Sequence, residues 1–266
     1  MHPVGGETVF VKWGGAVITD KTAVRSARRD VIRRLAEELK PLLSEYRIIL
    51  GHGSGSFGHW AARTFENLRK DSPELYAAKV HAVAAELNQI VTEILVESGI
   101  PAFQFPPSAI MFSRGDYVSR LCLGVLTEVL QGGYLPVIYG DAVPDGTLGG
   151  TIFSTERVFF TLNPILKPRR IVLITTVDGV YTADPLRDPD AERIPEITPE
   201  NFPEVQEALG EGHGTDVTGG MLSKVETMLA AVQSSPWLES VVITSAEPGR
   251  IERAVRGEKV GTVIHR

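Results

Sequence analysis

Short β-branched or apolar runs alternate along this chain with longer stretches of helical periodicity, and that alternation most restricts its fold. The runs lie at 8–12, 47–50, 102–105, 136–139, 170–174, 240–243 and 262–264. Amphipathic patterns lie between them, near 24–44, 58–69, 73–98, 119–131, 155–166, 219–234 and 248–256. Strands separated by helices are joined by crossovers, which predicts a mostly parallel open sheet covered on both faces, a three-layer αβα sandwich. An Asp-Gly and a Gly-Gly inside DAVPDGTLGG, 141–150, predict a hairpin inserted after one strand. The Pro- and acid-rich stretch 183–204 reads as a surface loop. With no internal repeat, the 266 residues read as a single unit of two lobes, dividing near 165–170.

Composition narrows the partners. The net charge of −6 argues against a nucleic-acid surface, so an anionic ligand would need a few locally placed cations. A single cysteine, Cys122, excludes an internal disulfide framework and suits a reducing cytoplasm. The opening MHPVGGETVF lacks a basic segment followed by an apolar one, so no signal peptide is expected, and no apolar run reaches membrane-spanning length.

The densest chemical signal is GHGSGSFGH, 51–59. Gly53, Gly55 and Gly58 fit the G-x-G-x-x-G of a dinucleotide turn. That reading requires the first strand and an acid about 20 residues on, at the end of the next strand. Here the motif follows the second strand, and the acids at that distance, Asp71 and Glu74, open a helical pattern. The alternative is a loop of backbone amides before a helix start, which suits a phosphate. A tight turn with no ligand would explain the glycines alone.

Three further segments share the character. Lys12-Trp13-Gly14-Gly15 places a lysine at a strand end against two glycines, with Lys21 nine residues on. The stretch 175–185 follows a strand with an Asp178-Gly179 turn and ends in Pro185. In 214–224, Gly219-Gly220 opens a helix, and Lys224 sits one turn inside it, aimed back at its start.

This ordered set resembles the amino acid kinase superfamily and, within it, the isopentenyl phosphate kinase family. The resemblance rests on Lys-x-Gly-Gly with a distal Thr-Asp-Lys (12–21), His-Gly-x-Gly-Ser-Phe-Gly-His (52–59), Gly-Asp-Ala-Val (140–143), Thr-x-Val-Asp-Gly-Val-Tyr (175–181) and Asp-Val-Thr-Gly-Gly-Met-x-x-Lys (216–224). The Ser-Phe-Gly-His ending is what points to a phosphate acceptor. Two positions depart from the pattern: Ala16 replaces a serine, and Glu156 of Ser154-Thr155-Glu156 replaces the aspartate that organises the catalytic lysines.

The resemblance implies the amino acid kinase fold, with an N-terminal acceptor-binding lobe to about 167 and a C-terminal nucleotide-binding lobe over 168–266. It implies transfer of the ATP γ-phosphoryl to isopentenyl phosphate, with Lys12, Lys21, His59 and Lys224 as the catalytic set. ATP would lie along Lys12, Gly14, Gly15, Gly55, Asp178, Tyr181, Thr182, Ala183, Asp184, Pro185, Gly220 and Lys224. The acceptor would meet Gly53, Ser54, Gly55, His59, Gly150 and Thr155, its tail lying among Tyr76, Val80 and Val83, with Phe65 nearby. Mg²⁺ is expected to arrive with ATP, largely water-coordinated and not in a protein cage. The family also implies a cytoplasmic homodimer without nucleic-acid or membrane partners. Two other readings stay open at this point: a related kinase such as fosfomycin kinase, and a non-catalytic anion-storage or nucleotide-sensing protein.

Overall fold

The computed structural model of the chain describes residues 6–211 and 220–266. Its strands are β1 Thr8–Trp13, β2 Arg47–His52, β3 Ala102–Gln104, β4 Met111–Arg114, β5 Tyr117–Leu121, β6 Leu135–Tyr139 and β7 Asp141–Asp145. The remainder are β8 Gly149–Phe153, β9 Arg170–Thr175, β10 Val180–Tyr181, β11 Arg193–Ile194, β12 Glu196–Ile197, β13 Ser240–Ser245 and β14 Thr262–Ile264. Helices are α1 Gly15–Ile18, α2 Arg29–Leu39, α3 Gly55–Thr64, α4 Leu68–Asp71, α5 Pro73–Glu97 and α6 Pro107–Ile110. They continue with α7 Gly124–Gln131, α8 Thr155–Leu166, α9 Phe202–Glu211, α10 Gly220–Ser234 and α11 Arg250–Val255.

Eight strands form the main sheet in the order β12-β14-β13-β9-β1-β2-β6-β3. Every pair in it is parallel except β13 with β14. β1 is central, with β2 and β9 paired on either side, so its C-terminal end opens among the loops that follow all three. Side chains of a strand alternate between faces, and that period divides the core in two. Val9, Val11, Trp13, Ile48, Leu50, Val172 and Ile174 join one apolar cluster with residues of α2, α5 and α11. Phe10, Ile49, Ile138, Ile171, Leu173 and Ile243 join the other, with residues of α7, α8 and α10. The result is the predicted αβα sandwich.

All seven predicted strands form, each within two residues of its expected bounds. The hairpin is β7 and β8. It belongs to a second sheet of order β5-β4-β7-β8 that the sequence reading did not foresee. The helix expected over 119–131 begins only at Gly124, because 117–121 pairs with β4 as a strand. Nor is 183–204 wholly loop: Glu196 and Ile197 pair with β14 at the sheet edge, and α9 starts at Phe202. Among the described residues, no helix is long and apolar enough to cross a membrane.

Candidate active site

Lys12 leaves the C-terminal end of β1 buried and forms an ion pair with Glu156. Glu156 lies in the first turn of α8, whose start is capped by the Ser154 hydroxyl accepting from Arg157 N at 3.2 Å. Burial, the largest influence on this carboxyl, favours its neutral form. The charges of Lys12 and Lys224 and the hydrogen bond from Lys12 override it, holding Glu156 below the usual carboxylate range. Lys224 sits one turn inside α10, and its ammonium reaches back to Gly220 O at 2.9 Å, as expected for a long side chain on a helix. One buried carboxylate is thus paired with Lys12 and lies within the influence of the Lys224 charge, from the other end of the chain. The rest of the motif, 214–219, lies outside the described residues.

The glycines after β1 and β2 interlock. A Cβ on Gly15 would stand 2.3 Å from Gly55 N, and one on Gly53 would stand 2.7 Å from Gly15 N. Gly55 has φ +48°, and a Cβ there would meet the Thr19 hydroxyl at 2.1 Å. Thr19 stitches the loops together, donating to Gly15 O at 2.7 Å and accepting from Ser56 N at 3.0 Å. Backbone contact, not only a ligand, therefore demands these glycines. It also commits two of the glycine amides expected to lie along the ligands, those of Gly14 and Gly53. Gly14 N donates to Ile174 O at 2.8 Å and Gly53 N to Trp13 O at 3.0 Å. The amides of Gly15, Ser54 and Gly55 donate to no described residue.

His59 is half-buried on α3. The helix starts at Gly55, not at 58, so this ring sits one turn in and not at the first residue. Thr155 is buried, and its hydroxyl donates to His52 O at 2.7 Å; that donor is committed to the backbone and not to a ligand. Gly150 has a packing reason, since a Cβ there would lie 2.1 Å from that of Ala77 on α5. Tyr76, Val80 and Val83 are buried in the core cluster along the same helix. Phe65 is partly buried beside them, edge-on to Trp60 at 5.6 Å.

Asp178 is a structural anchor. Its carboxylate meets Arg193 at 2.7 Å and Arg250 at 3.1 Å and accepts from the Thr244 hydroxyl at 2.9 Å. That set engages the carboxylate, expected along ATP, with protein partners on three sides. It pins the turn leading to Tyr181 and to exposed Thr182, half-buried Ala183, exposed Asp184 and half-buried Pro185. Lys21 is exposed in the turn between α1 and α2.

Two pairs escaped the sequence reading. His52 ends β2 fully buried, 3.0 Å from Asn88 on α5. Burial pushes its imidazole down to about 4, so it is neutral at pH 7. His81 on α5 meets buried Asp141 at 2.8 Å, and that hydrogen bond holds the ring above its usual value. A lone polar residue at an apolar helical position, as Asn88 is between Leu87 and Val91, was the available signal.

The amino acid kinase family profile matches residues 7–245. The chain belongs to the amino acid kinase family. Among curated members, the isopentenyl phosphate kinase of Methanothermobacter thermautotrophicus is 34% identical over 96% of this chain and 98% of its own length. That of Thermoplasma acidophilum is 33% identical over 96% of this chain and 99% of its own. A solved isopentenyl phosphate kinase superposes with a TM-score of 0.80 at 30% identity, covering 97% of this chain and 99% of the other. Glu156, which the resemblance sets at the family's acidic position, reaches Lys12.

Proposed function

We propose that this chain transfers the γ-phosphoryl group of ATP to isopentenyl phosphate, giving isopentenyl diphosphate and ADP. The observation that carries the reading is the buried Lys12–Glu156 pair, under the influence of the Lys224 charge, at the end of the strand that leads into the interlocked glycine loops. Phosphoryl transfer asks a protein chiefly to position two anions and offset their charge. Lys12 and Lys224 take the ATP phosphates, and Glu156 orients them through its ion pair with Lys12 and its negative charge. The amides of Gly15, Ser54 and Gly55 face phosphate oxygens. His59 donates a hydrogen bond to the acceptor phosphate. Lys21, on its exposed turn, offsets charge between donor and acceptor once both are bound. The chain through Tyr181 to Pro185 borders the nucleotide, with Asp178 anchoring it.

The acceptor's branched alkene tail needs an apolar wall, and the α5 face at Tyr76, Val80 and Val83 supplies one. Among the described residues, no group of three His, Cys, Asp or Glu stands ready to hold a metal. A donor set of lysines and amides fits an Mg²⁺ ion held by the nucleotide's own oxygens, where it would offset phosphate charge. In this reading the protein works in the cytoplasm as a homodimer of one two-lobed unit.

The test is ADP release with isopentenyl phosphate, dimethylallyl phosphate, fosfomycin and amino acids as acceptors. Isopentenyl phosphate should give the highest kcat/KM. Preference for fosfomycin or an amino acid would overturn the assigned acceptor, and no turnover with any would favour the storage reading.

A further inference from the structure

We infer that His52 is the positioning residue of the acceptor-side loop, locked in one tautomer by Asn88 and acting through the Gly53–Ser54 peptide. The inference rests on the assignment of 53–55 to the acceptor phosphate.

His52 is fully buried and stacked on Tyr139, with ring centroids 5.6 Å apart and planes inclined by 14°. Its Nδ1 lies 3.2 Å from Gly53 O, and its Nε2 lies 3.0 Å from the side-chain oxygen of Asn88. A neutral imidazole has one N–H and one lone pair. It cannot donate to two oxygens. The Asn88 side-chain nitrogen, meanwhile, is buried with no hydrogen-bond partner among the described residues. The oxygen and nitrogen of an amide are nearly the same size, so their assignment follows from the hydrogen bonds they make. Turning the Asn88 amide over removes both faults. Its nitrogen then donates to His52 Nε2, and the single ring proton sits on Nδ1 and donates to Gly53 O. The turned amide leaves a buried carbonyl short of a donor, which costs less than an orphaned N–H.

Peptide planarity carries this into the loop. The Gly53 carbonyl and the Ser54 N–H belong to one trans unit and point in opposite directions. Holding the carbonyl against His52 therefore turns the Ser54 N–H away from the buried ring, and that N–H donates to no described residue. The preceding peptide is fixed as well, because Gly53 N donates to Trp13 O at 3.0 Å. Ser54 N–H is thereby aimed before any ligand arrives, the condition under which a donor costs no reorganisation during reaction. His52 and His59 thus divide the work: the buried ring orients the backbone donor, and the half-buried ring meets the anion.

The first test needs no activity. In protein labelled with ¹⁵N-histidine, long-range ¹H–¹⁵N spectra at pH 7, assigned by the signal lost in His52→Gln, should show His52 protonated at Nδ1 and bare at Nε2. A protonated Nε2, or a rapidly averaging ring, overturns the inference. The second test is Asn88→Asp, whose carboxylate can only accept and draws the ring proton to Nε2. Loss of one hydrogen bond to the loop should lower kcat/KM for the phosphorylated acceptor roughly 3- to 10-fold, with Kd for ATP unchanged. A shifted tautomer with unchanged acceptor kcat/KM would also overturn it. Should Asn88→Asp not fold, the wild-type spectrum still decides the tautomer. Wild-type protein that phosphorylates no phosphate acceptor would instead overturn the loop's assignment, whatever the tautomer.

Discussion

Lys12 and Glu156 stand 144 positions apart in the chain and meet as a buried ion pair between the end of β1 and the first turn of α8. Glu156→Gln keeps the shape and removes the charge. If Glu156 aims both lysines at the transferring group, kcat should fall by at least roughly tenfold while KM for ATP changes little, the mark of an interaction made in the transition state. Near-normal kcat in steady-state assays would make the acid a bystander. Removing the negative charge from this buried pair should also cost stability, by about 3–5 kcal/mol. Because the folded state lowers the carboxyl below its ordinary 4.5, the pair's contribution is fully present above that pH and is lost as pH falls through the folded value. Urea melts of both proteins should therefore differ constantly near neutrality and converge in acid.

His59 is expected to ligate the acceptor phosphate, not to carry a phosphoryl group. A charged hydrogen bond of this kind contributes about 1.5–3 kcal/mol, so His59→Ala should lower acceptor kcat/KM roughly 10- to 150-fold. ATP affinity should hold, and His59→Asn or His59→Gln should restore part of the loss. A phosphohistidine trapped with ATP alone, or full activity in the alanine variant, would refute the role.

Gly15 faces backbone, which cannot move aside as a flexible side chain can. Gly15→Ala should drive a methyl into Gly55 N, separate the two loops and lower both Tm and activity, with a destabilisation of about 1–3 kcal/mol. Gly124→Ala is the control. A Cβ there meets nothing within 4 Å, so thermal melts should show no loss of stability. Equal Tm values for the two variants would show that the interlock adds nothing.

The tail pocket is expected to limit chain length by side-chain bulk on α5. Tyr76→Ala or Val83→Ala should raise kcat/KM for a ten-carbon prenyl phosphate relative to isopentenyl phosphate. Both side chains belong to the core, so melts must accompany the kinetics. An unchanged ratio in folded variants would place the tail elsewhere.

The fold was legible because periodicity is a local property. Strands buried on both faces read as apolar runs, and the helices between them read as period 3.6, so β1, β2, β6, β9 and β13 lay open in the amino-acid order. Residues 119–121, expected as the start of a helix, misled for the same reason: a five-residue strand carries too little pattern, and pairing with β4 decided its state. Glycine loops, Lys12, His59 and Lys224 were visible as residue types next to predicted strand and helix ends.

What each group touches was not visible, because contact depends on distances between segments far apart in the chain. Only the packed sheet brings Glu156 to Lys12, commits Gly14 N and Gly53 N to neighbouring carbonyls, and turns Asp178 toward Arg193 and Arg250. The burial of His52 belongs to the same category. Sequence alone determined the layers and the chemical inventory at the strand ends; tertiary structure decided which amides, carboxylates and rings remain available to a ligand, because hydrogen-bond valence is used up by whichever partner the fold brings within reach.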